Sequence, residues 1–293
     1  MILEIKDVTK SFGEKEVLKK VSFSCKSGEA FGILGRNGAG KTTLIRILMN
    51  VFQGGGEILT DGAPIDYGKI SFGYLPEERG LYPKKKIIDQ LVYFAELKGM
   101  SRADAVRSID YWLSRLGMTE YRNKRLDTLS KGNQQKIQLI TAIAHDPDIV
   151  ILDEPFSGLD PVNAMLLKDV VKEIIGKGKI LLFSSHQMNY IEEFCDSIVL
   201  LNGGRAVLSG KLTEIKRNYP RNKLFVRTED SSALLSEYEN ASPFEDGVII
   251  NLRSPSEKGE VMRSLSEKYD IDELRIFEPS LNDIFVEYAE GGI

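Results

Sequence analysis

The spacing of hydrophobic residues changes along this chain. Residues 2–6, 21–23 and 56–60 form short alternating or β-rich runs, and Asp61-Gly62 after the last run is a hairpin turn signal. These runs predict an antiparallel β-layer. Between residues 87 and 118 the apolar positions instead recur near every 3.6 residues, which predicts helices with Trp112 in their core.

Three further runs are apolar almost throughout. They cover residues 29–34, 149–152 and 180–183. Continuous apolar character is typical of parallel strands that are covered on both faces. A helical pattern at residues 161–175 separates the last two runs and completes a βαβ unit. The pattern therefore predicts an α/β core next to the antiparallel layer.

The composition becomes basic and polar near residues 211–223, where Pro220 adds a breaker. We place a domain boundary here, with a first domain at 1–218, a helical insert at about 84–145 and a second domain at 219–293. The second domain alternates strands with helices and is predicted to be a small α+β unit. Its predicted elements are strands at 224–226, 248–250 and 274–277, and helices at 233–235, 259–269 and 281–288.

The run after the first continuous strand carries the clearest chemistry. Residues 35–43 read G-x-x-x-x-G-K-T-T between a predicted strand and a predicted helix. Its glycines allow backbone N–H groups to face phosphate, Lys41 neutralises the β- and γ-phosphates, and the Thr42 hydroxyl can bind Mg²⁺. The sequence therefore predicts a nucleoside triphosphate site. Its candidate residues are Gly35, Asn37, Gly38, Ala39, Gly40, Lys41, Thr42 and Thr43.

Two acids end the strand at 149–152. Asp153 is placed to hold Mg²⁺ through water, and Glu154 to orient or deprotonate an attacking water. A solvated turn would explain such a pair when it stands alone. Beside a phosphate loop we expect catalytic carboxylates.

Four other residues are ambiguous when taken alone. Ser130 and Gly132 open a helix, which is either an ordinary capped helix or one that presents N–H groups to phosphate. His186 follows a buried strand and either contacts a γ-phosphate and the carboxylate region or is structural. Phe12 either stacks on an adenine or fills the β-layer.

Composition narrows the cellular setting. The chain has 293 residues, 42% of them hydrophobic, a formal net charge of −4 and two cysteines, Cys25 and Cys195. So few cysteines favour a reducing cytosolic environment, and the acidic balance argues against a nucleic-acid partner. The N-terminus is charged where a signal peptide is apolar, and no segment reads as membrane-spanning. We therefore expect any membrane role to depend on a partner chain.

Taken in order, these motifs resemble those of the ABC ATPase family. The resemblance implies an α/β fold: a P-loop NTPase core with an antiparallel β-layer and a helical subdomain. Residues 35–43 resemble Walker A, 149–154 Walker B, 129–133 the LSGGQ signature and 157–160 the D-loop. The resemblance implies that Glu154 is the catalytic carboxylate, His186 the switch histidine and Phe12 the adenine-stacking aromatic. It further implies a head-to-tail, ATP-dependent homodimer in which Ser130 and Gly132 cap the partner copy's ATP, with Asp160 in the dimer D-loop.

Some positions depart from the usual family pattern. Glu77 stands where the Q-loop normally has glutamine, and its carboxylate can still reach Mg²⁺. Lys131 and Asn133 replace a glycine and the glutamine of the signature. Residues 76–83 and the C-terminal unit are similar to ATPase subunits of ABC-2-type exporters, such as sodium-efflux and drug-resistance systems.

The resemblance implies an ATP-binding and ATP-hydrolysing motor subunit of a two-component ABC transporter that uses ATP and Mg²⁺. Such a subunit works as a peripheral protein at the cytoplasmic face of the cell membrane and drives a separate integral membrane permease. The exporter-like features favour export. The apolar residues at 81–83 either contact the permease or pack on the helical insert. The alternative is a soluble ABC ATPase acting on ribosomes or nucleic acid, which the single phosphate loop and the acidic balance disfavour.

Overall fold

A computed structural model describes residues 1–78, 80–156, 160–218 and 222–289. The chain divides into two compact units, Met1–Leu212 with residues 287–289, and Thr213–Val286. The predicted boundary between residues 218 and 219 adjoins residues 219–221, which include Pro220 and lie outside the described residues.

The strands are β1 Ile2–Phe12, β2 Lys15–Lys26, β3 Ala30–Leu34, β4 Gly55–Thr60, β5 Ala63–Pro64, β6 Phe72–Leu75, β7 Ile149–Asp153, β8 Ile180–Ser185, β9 Ser197–Asn202, β10 Arg205–Lys211, β11 Lys223–Arg227, β12 Ala241–Phe244, β13 Gly247–Asn251 and β14 Glu273–Ile276. The helices are α1 Lys41–Leu48, α2 Ile87–Leu97, α3 Arg102–Arg115, α4 Lys131–Ile143, α5 Pro161–Gly176, α6 Met188–Phe194, α7 Leu212–Asn218, α8 Ser231–Glu237, α9 Lys258–Lys268 and α10 Leu281–Ala289.

The predicted antiparallel layer is confirmed as a sheet of order β2-β1-β4-β5. Its β4–β5 turn is the predicted hairpin: Thr60 pairs with Ala63, and Asp61 and Gly62 adopt φ of 50° and 81°. A turn with positive φ at both central residues has a twist that matches that of the strands, and Asp-Gly is one of the pairs that favour this turn.

The central sheet has the order β10-β9-β3-β8-β7-β6. Strands β9, β3, β8, β7 and β6 pair in parallel, and β10 pairs antiparallel with β9 at one edge. Every residue of β3, β7 and β8 is buried, as the continuous apolar runs predicted. The antiparallel layer packs on this sheet through a shared core in which the Phe23 and Phe31 rings stack 5.0 Å apart. The α/β fold class is confirmed.

The helical insert consists mainly of α2, α3 and α4. Ser101 caps α3, since its Oγ accepts a hydrogen bond from the Asp104 backbone N–H at 3.1 Å. Trp112 is 4% exposed and packs in the core, as expected from its helical spacing. The insert comes close to the central sheet at Gly73 of β6, where a Cβ atom would lie 2.0 Å from the Ala142 carbonyl oxygen of α4.

The second unit is built around an antiparallel sheet of order β12-β13-β11-β14. Its core contains Leu224 and Val226 from β11, Val248 and Ile250 from β13, and Leu265 from α9. The predicted strands and helices of this region are present, which agrees with a small α+β unit. The sequence patterns missed the short strand β12.

Cys25 and Cys195 are both free thiols and both buried. Burial raises the pKa of Cys25 to about 12 and also raises that of Cys195. Within the described ranges, no helix combines the length and the apolar character needed to cross a membrane.

Candidate active site

The glycine-rich loop connects β3 to the first residue of α1, Lys41. Two of its glycines need a conformation that side chains disfavour, since Gly38 and Gly40 adopt φ of 81° and 108°. A Cβ atom on Gly40 would also lie 2.6 Å from Leu18 Cδ2 of β2. The loop therefore runs directly beneath β2, and its backbone N–H groups lie at the N-terminus of α1.

Lys41 is buried beside this loop. Its Nζ atom donates a 2.7 Å hydrogen bond to the Gly35 carbonyl oxygen. Burial lowers the pKa of Lys41, and the nearby charges of Glu154, Asp153 and Glu77 oppose that effect. A buried ammonium group next to backbone donors makes this position suitable for the negative charge of phosphates.

The loop forms one wall of a cleft of about 570 Å³. Asn37, Gly38, Gly40, Lys41, Thr42 and Thr43 line it, together with the carboxylates of Glu77, Asp153 and Glu154. Gly35 and Ala39 are buried in the same loop. The structure thus brings the predicted phosphate loop and the three predicted acids to one cavity.

Asp153 ends β7 with its side chain 3% exposed. Burial raises its pKa, and the charges of Glu154 and Glu77 add to that effect, while the hydrogen bond from Tyr74 opposes it. The Tyr74 hydroxyl donates to Asp153 Oδ2 at 3.3 Å. A buried acid beside two other acids is an environment in which a bound cation would be stabilised.

Glu154 is held by the end of β8. Its Oε1 atom accepts a hydrogen bond from the His186 backbone N–H at 2.9 Å and lies 2.7 Å from His186 Nδ1. Its Oε2 atom accepts from Ser185 Oγ at 3.0 Å. Because an ionised carboxylate only accepts, Nδ1 carries the hydrogen in this contact when Glu154 is ionised. The predicted Glu154 and His186 are therefore in direct contact.

The backbone of Glu154 has φ of 50°, in the left-handed region. Such a conformation costs a non-glycine residue on the order of 1 kcal/mol and persists only where surrounding contacts enforce it. One such contact is the backbone bond from Glu154 N to the Ser184 carbonyl at 2.8 Å. Phe156 supplies another anchor, since its ring stacks on Tyr190 at 4.3 Å and Phe194 at 4.7 Å.

Glu77 is exposed on the loop after β6 and lines two cavities. One is the phosphate cleft, and the other is a neighbouring groove of about 980 Å³. The groove runs past Arg46 and Met49 near the end of α1 and past Leu97 of α2. Thr42 and Asp153 also line both cavities, so these three side chains lie where the two cavities meet.

Ser130, Gly132 and Phe12 are not among the described residues that line the phosphate cleft. Ser130 caps α4, its Oγ accepting from the Asn133 backbone N–H at 3.4 Å. Phe12 ends β1 with 47% of its surface exposed, and its ring makes an edge contact with Phe52 at 5.5 Å.

Asp160 is exposed and caps α5. Its Oδ1 atom accepts from the Asn163 backbone N–H at 2.9 Å. The other residues of the predicted D-loop, 157–159, lie outside the described part of the chain, as does Arg79 of the loop that carries Glu77.

Several residues that line the cleft were not predicted from the sequence. They come from β2, from the glycine-rich loop and from the β9–β10 turn, and they are Lys15, Glu16, Val17, Lys19, Arg36, Gly203 and Gly204. The Lys19 backbone N–H donates to the Gly204 carbonyl at 2.8 Å, which joins the turn to β2. The Gly203-Gly204 pair after an apolar run was a turn signal, but the sequence did not show which cavity the turn would border.

Two protein-family models match the chain. The model described as "ABC transporter" matches residues 18–157, and the one described as "ATP-binding protein DrrA1-3-like, C-terminal domain" matches residues 210–289. The chain is 43% identical to the uncharacterized ABC transporter ATP-binding protein YhaQ of Bacillus subtilis, over 98% of each protein.

More distant relatives extend the comparison. The chain is 32% identical to the ABC transporter ATP-binding protein NatA of Bacillus subtilis over 77% of this chain and 97% of that protein. It is also 32% identical to the Nod factor export ATP-binding protein I of Cupriavidus pinatubonensis over 72% of this chain and 66% of that protein. A solved structure described as the ATP binding subunit of an ABC transporter superposes with a TM-score of 0.69 at 31% identity, covering 75% of this chain and 93% of the other.

This chain belongs to the family of ABC transporter ATP-binding proteins. It is an ATP-binding and ATP-hydrolysing motor subunit of a transporter, and the similarity to the ABC-2-type exporter branch is confirmed. Its relatives as transporter subunits imply a membrane permease as partner. The comparisons do not support the alternative of a soluble ATPase acting on ribosomes or nucleic acid.

Proposed function

We propose that Glu154 is the general base that activates the water attacking the terminal phosphate of ATP. The contact that carries this proposal is the 2.7 Å approach of His186 Nδ1 to Oε1 of Glu154, a residue that lines the same cleft as Lys41. Bonds from His186 and Ser185 fix the carboxylate in one orientation, which general-base catalysis requires. His186 is the second catalytic residue in this proposal, because its imidazole contacts the γ-phosphate of bound ATP and also orients Glu154.

The phosphates of ATP bind to the glycine-rich loop. Backbone N–H groups of residues 35–43 surround them, and Lys41 exchanges its present bond to the Gly35 carbonyl for phosphate oxygens. Thr42 and Thr43 are half-buried at the start of α1 and complete the contacts. Most residues of this loop line the cleft, and Gly35 and Ala39 are buried.

Mg²⁺ fits the donor set at the junction of the two cavities. Thr42, Asp153 and Glu77 offer oxygen atoms only, and Mg²⁺ in phosphate sites is typically held by one or two carboxylates together with phosphate oxygens. In the described ranges, no group of three His, Cys, Asp or Glu side chains converges as a metal cage, so phosphate oxygens belong to the proposed site. The ion supplies neutralisation of phosphate charge in phosphoryl transfer.

Two copies of the chain together complete each ATP site. Ser130 and Gly132 open α4 away from the residues that line the cleft, so in this proposal they contact ATP held by a second copy. A head-to-tail pair related by a two-fold axis makes both contacts at once. Asp160 lies in the dimer D-loop, and the exposed Phe12 ring stacks on adenine.

The subunit drives a permease from the cytoplasmic face of the cell membrane, and it does so in the direction of export. Support for export comes from the match to the DrrA-like C-terminal domain and from the relative named for Nod factor export. The groove beside Glu77 and the 55% exposed Tyr82 are the proposed contact surface for the permease. Tyr82 also stacks on Phe94 of α2 at 6.3 Å, so movement of this surface would reach the insert.

Hydrolysis by the Glu154→Gln variant tests the catalytic proposal. The isosteric amide keeps the shape of the site but cannot accept the water proton, so we expect turnover to fall by about 10²-fold or more. ATP affinity, measured by calorimetry, should stay within a few-fold of wild type. Wild-type turnover in the variant would remove Glu154 from the mechanism.

Purification with a membrane protein encoded beside this chain tests the assignment of the partner. We expect the two proteins to purify together and the complex to hydrolyse ATP faster than the isolated subunit. In inside-out vesicles, an exporter would accumulate its substrate in the lumen when ATP is added outside. Recovery with ribosomes instead would contradict the transporter assignment.

A further inference from the structure

One face of α4 reaches both loops that carry the proposed carboxylates. Gln135 and Gln138 lie three residues apart on this helix, so their side chains share a face. Gln138 is buried and Gln135 is half-buried. Both side chains bond to the main chain of the loops that follow the strands of the central sheet.

Gln135 reaches the loop after β7. Its Nε2 atom donates a 2.7 Å hydrogen bond to the carbonyl oxygen of Pro155, the residue next to Glu154. A carbonyl oxygen only accepts hydrogen bonds, so the amide NH₂ group must be the part of Gln135 that faces it. This bond fixes the main chain directly after the strained Glu154 backbone.

Gln138 reaches the loop after β6 on both sides of Glu77. Its Nε2 atom donates to the Glu78 carbonyl at 3.0 Å and to the Pro76 carbonyl at 3.4 Å. The two hydrogens of one amide group can serve two carbonyls at once, which a hydroxyl or a thioether cannot do. The main chain that carries Glu77 is therefore attached to α4 on both sides of that residue.

The topology explains why one helix can hold both loops. Strands β6 and β7 are parallel neighbours, so the loops after them begin at the same edge of the sheet. Helix α4 lies close to β6 because Gly73 has no side chain to separate it from the Ala142 carbonyl. Side chains one turn apart on α4 then reach one loop each.

We propose that Gln135 and Gln138 are positioning residues for the two carboxylates: Gln135 acts through Glu154, and Gln138 acts through Glu77. The inference rests on the catalytic and metal roles proposed above for these acids. Helix α4, which begins after Ser130, would therefore also set the placement of Glu77 and Glu154 within its own chain. Neither glutamine touches ATP in this proposal.

Two substitutions give different expected results. Gln138→Met keeps the size of the side chain and removes both donors. We expect it to weaken Mn²⁺ binding about tenfold in the presence of a nonhydrolysable ATP analogue, as loss of a group that orients a metal ligand typically does.

Gln135→Met should leave Mn²⁺ affinity within about twofold and lower kcat about tenfold at unchanged KM, because misplacement of a catalytic group slows the chemical step.

Thr141→Val is the matched control. Thr141 lies on the same helix, and its hydroxyl donates within α4 to the Ile137 carbonyl at 3.3 Å. Mn²⁺ affinity and kcat should both stay at wild-type values in this variant. Should Gln138→Met fail to fold, Gln138→Asn removes the same two bonds by being one methylene shorter, and it carries the same test.

A double-mutant comparison separates this inference from the proposed role of Glu77. Glu77→Gln alone should weaken Mn²⁺ binding, and adding Gln138→Met to it should weaken binding no further. The opposite result is that Gln138→Met causes the same loss of Mn²⁺ affinity in the wild-type protein and in Glu77→Gln. That result would overturn the positioning role of Gln138 while leaving Glu77 as a ligand. Unchanged Mn²⁺ affinity in Glu77→Gln would overturn the metal role of Glu77 and the Gln138 inference with it. An unchanged kcat in Gln135→Met would overturn the role of Gln135.

Discussion

The charged residues of the phosphate cleft perturb one another. Burial lowers the pKa of Lys41 and outweighs the opposing effect of the nearby acids. Burial raises the pKa of Asp153, and the charges of Glu154 and Glu77 add to that effect. Lys41 is buried in this cleft, which Glu77, Asp153 and Glu154 also line. Its removal should therefore take a buried positive charge away from these acids and one of the proposed contacts away from the phosphates.

Lys41→Ala should weaken ATP binding strongly. Loss of one partner from a buried, hydrogen-bonded charge pair costs about 2–5 kcal/mol, which corresponds to a loss of affinity of about 30-fold or more. Calorimetric titration with ATP measures this directly. Lys179→Ala is a suitable control, because Lys179 pairs with Asp146 at 3.0 Å and does not line the cleft. A wild-type titration curve for Lys41→Ala would contradict the phosphate role.

His186→Ala should slow hydrolysis without abolishing ATP binding. The variant loses the contact from Nδ1 to Glu154 but keeps the bond from the residue-186 backbone N–H. We expect kcat to fall about 10²-fold, because the carboxylate loses part of its orientation. Phosphate release assays with saturating ATP report kcat, and a value within twofold of wild type would show that His186 is only structural.

At the scale of elements, α3 of the insert is joined to α5 of the core by a polar cluster. Glu173 of α5 accepts a 2.6 Å hydrogen bond from the Tyr111 hydroxyl and a 3.2 Å bond from Arg115 Nε. Lys177 lies 3.3 Å from Glu173 and 5.0 Å from the Trp112 ring. Burial alone would raise the pKa of Glu173, but the bonds from Tyr111, Arg115 and Lys177 outweigh it and lower the pKa.

Glu173→Gln should lower the free energy of unfolding by about 1 kcal/mol at pH 7. Because the folded-state pKa is depressed, the stabilisation is present above the ordinary glutamate pKa of 4.5 and is lost as the pH falls through the lower folded value. The difference between wild type and variant should thus shrink below about pH 4.5. Fluorescence of Trp112, the single tryptophan of the chain, follows denaturant unfolding at each pH.

Glu96→Gln provides the comparison for that experiment. Glu96 pairs with Arg102 at 3.5 Å on a more exposed part of the insert, where an ion pair contributes less. Its effect should stay below about 0.5 kcal/mol at every pH. Equal effects of the two substitutions would show that the Glu173 cluster does not join α3 to α5 energetically.

The elements that the sequence predicted well are those with a strong local pattern. Strands β3, β7 and β8 are continuous apolar runs, and the Asp61-Gly62 turn has its own residue signature. The sequence did not predict β6 or its place beside β7, because a four-residue strand with two half-buried positions has little pattern of its own. Its pairing comes from contacts with residues far along the chain.

The site follows the same division. The phosphate loop and Asp153-Glu154 lie in continuous motifs, so their residues could be predicted one by one. Lys19 and Gly204 border the same cleft only because β2 lies over the loop and the β9–β10 turn bonds to it. Gln135 and Gln138 look like polar positions of an ordinary helix until their carbonyl partners are known.

At the scale of the whole molecule, the residues that line the phosphate cleft of one copy differ from those that open α4, the helix with the signature-like sequence. Ser130 and Gly132 are not among the described residues that line the cleft, although Lys41, Glu77, Asp153 and Glu154 all are. Under the proposed head-to-tail arrangement, each copy supplies what the other's cleft lacks. ATP binding and dimer formation should therefore stabilise each other.

Sedimentation velocity of the Glu154→Gln variant tests this central claim most directly. With hydrolysis blocked, saturating ATP and Mg²⁺ should convert the protein from single copies to a species of twice the mass. The same variant without nucleotide, and Lys41→Ala with nucleotide, should remain single copies. Single copies of nucleotide-saturated Glu154→Gln at every protein concentration would contradict the account.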